Sequence, residues 1–228
     1  MKKLAYLLIS FLVFASCNSE KKFSVKGTVA DESLNGKEIY LNKYDELGVV
    51  SSDTVIIKNN KFQFKGTEEN PVVYYIFTDD PTVAGDISLG VPLLIKPGKI
   101  TVSIDGDRVI IGGNEENDDY QRFMDDQFIL VDKMLALQNS TTENIMELSA
   151  EDPERIRIFG EYSELFDELR DITAAYILNN IDNPLGEEMF ITSSDLLTFP
   201  EVEEALNNAN ESFRYNPAVV EILSGYKF

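Results

Sequence analysis

SSDTVIIKNNKFQFKG, residues 51–66, sets two short runs of β-branched and aromatic residues on either side of Asn59-Asn60. Thr54, Ile56 and Lys58 alternate with Val55 and Ile57, and Phe62 and Phe64 alternate with Lys61, Gln63 and Lys65. That period of two belongs to half-buried strands. Asn tolerates positive φ, so the two asparagines predict a tight turn and the whole stretch a β-hairpin.

Strands of the same kind lie on both sides. Phe23–Val29 carries Phe23, Val25 and Val29 around Gly27, and Asn35-Gly36 turns into Glu38–Tyr44. After Asn70-Pro71, the apolar run Val72–Phe77 is long enough for a central strand. An acidic loop, Asp79–Asp86, precedes Ile87–Lys96, where Pro92 marks an edge or bulge. Lys99–Ile104 and Arg108–Ile111 flank the turn Asp105-Gly106-Asp107. Eight or nine short strands at this spacing predict an antiparallel sandwich or barrel.

Gly112-Gly113-Asn114 closes the β region, and from Asn117 the apolar period becomes helical through Tyr120, Phe123, Met124, Phe128, Val131, Met134 and Leu135. Asp152-Pro153 is a helix start whose stripe runs through Ile158, Tyr162, Leu165, Phe166, Leu169, Ile172 and Tyr176 to a stop at Asn183-Pro184. Shorter helices are expected near Pro200–Ala209 and from Asn216-Pro217 to Gly225. The fold class is therefore α+β, an N-terminal antiparallel β-sandwich or barrel at 23–113 followed by a C-terminal helical hairpin or small bundle at 114–228.

Composition narrows the chemistry. Forty acidic residues face 20 basic ones, a formal charge of −20, so nucleic acid and anionic membrane surfaces are expected to be repelled rather than attracted. The chain has no His, which removes Ser-His-Asp triads, Cys-His pairs and His-based metal sites. Its one cysteine, Cys17, permits neither an internal disulfide nor a Cys-x-x-Cys pair.

Met1-Lys2-Lys3 followed by LAYLLISFLVFA has the charge and length of a signal peptide and is too short to span a bilayer comfortably. The run ends at Ala15-Ser16-Cys17, then turns polar. This resembles the bacterial lipobox, with Phe14 where that pattern usually has Leu. The resemblance implies a signal peptide at 1–16, acylation of Cys17, a tether at 17–22 and attachment to a membrane without crossing it. Asn18 is not the Asp that marks inner-membrane retention in some Gram-negative bacteria, so the expected address is the outer membrane.

Taken in order, several segments resemble a lipid-anchored domain of unknown function that precedes thioredoxin-like (AhpC/TSA type) domains in Gram-negative envelope lipoproteins. They are Phe23-Ser24-Val25-Lys26-Gly27-Thr28-Val29, Ser52-Asp53-Thr54, Asn60 to Gly66, Pro97-Gly98-Lys99-Ile100-Thr101-Val102, Gly112-Gly113-Asn114 with Tyr120 and Phe123, and Asn183-Pro184-Leu185-Gly186. The sequence ends at Gly225-Tyr226-Lys227-Phe228, where the longer relatives would begin their thioredoxin fold. The resemblance thus implies fold and address, and transfers no catalytic residue.

The plentiful reactive groups are acidic pairs: Asp79-Asp80, Asp118-Asp119, Asp125-Asp126 and Glu187-Glu188. Glycoside hydrolysis needs two carboxylates roughly 5–10 Å apart across a cleft. Neighbours on a helix diverge by about 100°, so these pairs read as solvated faces and helix-terminal charges. Asp105-Gly106-Asp107 lacks calcium-loop spacing and reads as a hairpin turn. Tyr74, Tyr75, Tyr162 and Tyr176 are groove-lining or core candidates. The expectation is a non-catalytic, lipid-anchored envelope module for binding or interaction, without cofactor or metal. Its alternatives are an accessory of a separate thioredoxin-fold redox protein and a carboxylate-dependent glycan hydrolase.

Overall fold

A computed structural model describes residues 21–45, 48–78, 90–106, 108–139 and 148–225, with the backbone alone at 45 and 48–50. Cys17 and the expected signal peptide before it, the acidic loop with Asp79-Asp80, and Asp107 lie outside the described residues. Eight strands are described: β1 (Lys22–Val29), β2 (Glu38–Asp45), β3 (Gly48–Ile56), β4 (Lys61–Thr67), β5 (Val72–Phe77), β6 (Val91–Ile95), β7 (Gly98–Asp105) and β8 (Arg108–Gly112). They form two four-stranded sheets, ordered β4-β1-β7-β8 (sheet A) and β3-β2-β5-β6 (sheet B). The α+β class and the N-terminal sandwich are as the sequence predicts. One pair departs from it: β1 and β7 run parallel.

The Asn59-Asn60 turn forms, with φ of 52° and 60°. Asn35 pins it, accepting from the Asn60 backbone N–H at 2.8 Å and donating to the Asn60 side chain at 2.7 Å. The hairpin, however, does not continue. Beyond a single Lys58–Lys61 bridge the chain changes sheets, β3 pairing with β2 and β4 with β1. Turn geometry is a local property, whereas pairing is decided by which neighbour complements each strand.

For β4 that neighbour is β1. Both strands read Phe-x-x-x-Gly, and antiparallel pairing sets Phe62 against Gly27 and Phe23 against Gly66. A Cβ on Gly27 would lie 1.8 Å from the Phe62 ring, and one on Gly66 2.6 Å from the Phe23 ring. Each ring fills the space its facing glycine leaves, a device that also pins register.

Helix α1 (Glu115–Asn139) closes the open side of the sandwich. Its Asn117, fully buried, accepts from Leu94 N–H at 2.7 Å and donates to Leu94 C=O at 3.0 Å, satisfying the free edge of β6. One turn later Gln121 accepts from Ile111 N–H at 2.7 Å on the edge of β8. Two amides spaced by four residues thus satisfy an edge of each sheet. Helix α2 (Pro153–Asn180) returns antiparallel: Phe123 stacks on Tyr176 at 4.4 Å, and Gln127 bonds Thr173 at 3.0 Å. Helices α3 (Pro184–Ser193), α4 (Phe199–Asn208), α5 (Glu211–Arg214) and α6 (Pro217–Gly225) follow, and α3 packs on β5 and β6. The result is a two-sheet sandwich with α1 along its open side and α3 on sheet B, sharing one continuous buried core.

The predicted helical stripes are right in part. Tyr120, Phe123, Met134, Ile158 and Tyr176 are buried, but Phe128, Val131, Leu135, Tyr162 and Phe166 are 41–50% exposed. Helical periodicity identifies an apolar face, and only tertiary contact determines whether something covers it.

Candidate functional site

The described cavity that brings together residues singled out above is a groove of about 740 Å³ between sheet B and the helices. Tyr44, Val73 and Tyr75 line it from the sheet, Glu187, Glu188 and Ile191 from α3, and Phe213, Asn216 and Ala218 from α5, α6 and the turn between them. Alternation turns Tyr75 outward, because its neighbours Tyr74 and Ile76 are buried in the core. The position of α3 follows from its start: the Asn183 side chain accepts from Leu185 and Gly186 N–H at 3.0 and 3.2 Å, with Pro184 in the first turn. Leu185, Met189 and Phe190 are buried, leaving Glu187, Glu188 and Ile191 on the side that lines the groove. A Cβ on Gly186 would meet the Asn180 carbonyl oxygen at 1.9 Å, so the α2–α3 corner requires glycine there.

The groove's polar groups have partners within the protein. The Tyr75 hydroxyl donates to Glu188, and burial, then this bond, push the phenol far above its usual range. Asn210 donates to Glu187 at 3.4 Å; burial outweighs that bond and holds the Glu187 carboxyl above the usual carboxylate range. Tyr44 meets Tyr75 edge-on at 5.4 Å. Its hydroxyl accepts from buried Asn42 at 3.2 Å, which accepts in turn from Ser52 at 2.7 Å.

The other candidates disperse. Tyr74 faces the core and donates to Glu68, while Tyr162 is exposed on α2. Tyr176 is buried beside Phe123 and Tyr120, its hydroxyl without a hydrogen-bond partner among the described residues. Asp118 accepts from Gly113 N–H, Asp119 pairs with Arg122, and Asp125 pairs with Arg108 at 2.8 Å. Asp105 lies in β7 opposite Arg108, in the predicted turn. Among the described residues no three Asp, Glu, Cys or His side chains gather closely enough to hold a metal ion, and no helix is long and apolar enough to cross a membrane. Sequence reasoning missed Tyr44, the Asn42 network and Asn210: Asn42 bonds Ser52 10 residues away, and Asn210 bonds Glu187 and Asp182 23 and 28 residues away, separations that no local period signals.

Residues 23–120 match the family model of a domain of unknown function, DUF4369. The DUF4369 segment is somewhat less than half the chain: the sandwich together with the first turns of α1. It ends just beyond Asn117, the residue that ties α1 to the sandwich edge, so its limit coincides with a complete β unit. No curated protein and no solved structure matches the chain.

Proposed function

We propose that this protein is a lipid-anchored, non-catalytic module of the bacterial envelope that binds a ligand or partner in the groove between sheet B and α3, α5 and α6. The observation that carries this reading is the groove itself, which presents Tyr44, Val73, Ile191 and Phe213 beside carboxylates engaged by Tyr75 and Asn210. Aromatic and aliphatic walls with a few fixed polar groups suit recognition. Acid–base chemistry on a glycan would instead need two carboxylates facing each other across the bound substrate, whereas Glu187 and Glu188 are neighbours on one helix. The anchor reading rests on Lys2-Lys3, the apolar run and Ala15-Ser16-Cys17.

Both halves can be tested in cells. A photo-crosslinking residue at Val73 of the lipidated protein is expected to capture an envelope component that the same residue at exposed Thr54 does not. Equal capture from both positions would remove the groove from consideration, and capture of a thioredoxin-fold protein at Val73 would make the module that protein's accessory. Cys17→Ala is expected to move the protein out of the membrane fraction with its fold intact, and detergent-requiring retention of that variant contradicts acylation.

A further inference from the structure

The overall charge of −20 is an average over two very different surfaces. Residues 114–228 hold 26 acidic and 7 basic side chains, a net −19 that accounts for nearly the whole excess. The outward face of sheet A has the opposite sign. Burial alternates along β1, β4, β7 and β8, and the positions turned to solvent carry Lys22, Lys26, Lys61, Lys65, Lys99 and Arg108, against Asp105 alone. Arg108 pairs with Asp125, but among the described residues Lys26, Lys61, Lys65 and Lys99 form no ion pair.

Their placement is not uniform. Lys65, Ser24 and Lys99 share one cross-strand row, which sets the two lysines about 10 Å apart, two strand spacings. Lys26 is two residues along β1 from that row and Lys22 two residues the other way. Four cations therefore gather at the N-terminal end of β1, whereas Asp105 and Arg108 sit at the opposite end of the face. Lys22 is only five residues after Cys17, a reach of about 17 Å when fully extended.

We infer that the outward face of sheet A docks on anionic lipid headgroups of the membrane that holds the anchor. Lipid is chosen over another polyanion because of the short tether, so that choice rests on the Cys17 anchor proposed above. Helix α3 packs on β5 and β6, and stacked sheets are about 10 Å apart, so its carboxylates lie farther from the lysine face than the Debye length of about 8 Å at physiological salt. Helix α1 instead runs beside β8, where Asp118 accepts from Gly113 N–H and Asp125 pairs with Arg108, so both carboxylates are engaged. Docking in this way turns α3 and the groove away from the bilayer.

The test uses the chain from residue 17 with Cys17→Ser, unlipidated, sedimented with phosphatidylcholine vesicles with or without about 30 mol% phosphatidylglycerol at about 0.15 M salt. Each lysine near such a surface contributes about fivefold to partitioning, so Lys26→Gln, Lys65→Gln and Lys99→Gln together are expected to lower it about a hundredfold. All three side chains are exposed, so an unchanged circular dichroism spectrum serves as the fold control. Partitioning that needs no phosphatidylglycerol, or that the triple variant keeps, overturns the inference. Heparin that strips the protein from the vesicles at equal charge concentration would make the face a site for soluble polyanions and overturn the lipid assignment. Because no acyl chain is present, failure here leaves the anchor reading standing, and failure of the Cys17→Ala fractionation leaves this result intact.

Discussion

Glu187 shows how one side chain in the groove records its surroundings. Burial raises its folded-state pKa above the ordinary value that applies in the unfolded chain, and the bond from Asn210 offsets this only in part. The folded protein therefore binds the proton more tightly than the unfolded chain does. The resulting penalty on stability is fully present above the raised pKa and is relieved as pH falls through it toward the unfolded value. Glu187→Gln keeps an oxygen to accept from Asn210 and removes the charge. It is expected to raise the thermal midpoint at pH 8 and to converge on the parent near pH 4.5. A gain that stays constant across that range would mean that the charge is not what burial penalises. Gly186 shows the opposite case: it was quoted in the sequence as part of a motif, yet its necessity comes from the Asn180 carbonyl, which the chain brings to it across the α2–α3 corner.

At the scale of elements, β1 and β4 are matched through their rings and glycines. Phe62 over Gly27 and Phe23 over Gly66 form two reciprocal contacts in one ladder, so a register slip of one residue would turn both rings to solvent. Gly27→Ala is expected to cost about 1–3 kcal/mol in urea unfolding, the range for overpacking a close-fitting interior. Adding Phe62→Leu should recover part of that loss, because the smaller side chain vacates the space the new methyl needs. Additive losses in the double variant would show that the ring and the glycine do not act on each other. The outer face of the helical hairpin has no such reciprocity. Exposed Phe128, Val131, Leu135, Tyr162 and Phe166 continue the periodicity of the buried positions without a covering layer.

For the molecule as a whole, α1 determines where the β unit is complete. Asn117 and Gln121 satisfy backbone groups on β6 and β8, edges that would otherwise be open to another strand. Asn117→Leu leaves the buried N–H of Leu94 without its partner, while the Leu94 C=O keeps Asn114, which donates to it at 3.2 Å. The expected loss is roughly 1–3 kcal/mol of unfolding free energy, the cost of one unsatisfied buried group. A loss below about 1 kcal/mol would show that other groups or water reach Leu94. Charge is also organised at this scale, with acidic helices along the open side and on sheet B and a lysine face on the outside of sheet A. Net charge conceals that division, because it sums the two faces.

The sequence by itself determined what depends on near neighbours. These are the alternation of the strands, the left-handed Asn59-Asn60 turn, the caps at Asp152 and Asn183, and the change from β to helix after Gly113. Each is set within a few residues by backbone sterics or by hydrogen bonds to the adjacent turn. Only the tertiary structure decided which strands pair, that β3 and β4 part into different sheets, that β1 and β7 run parallel, and that Tyr75 meets Glu188 across 113 residues of chain. Strand pairing is a competition among distant partners, won by the fit of side chains such as Phe62 on Gly27, and no local period encodes it.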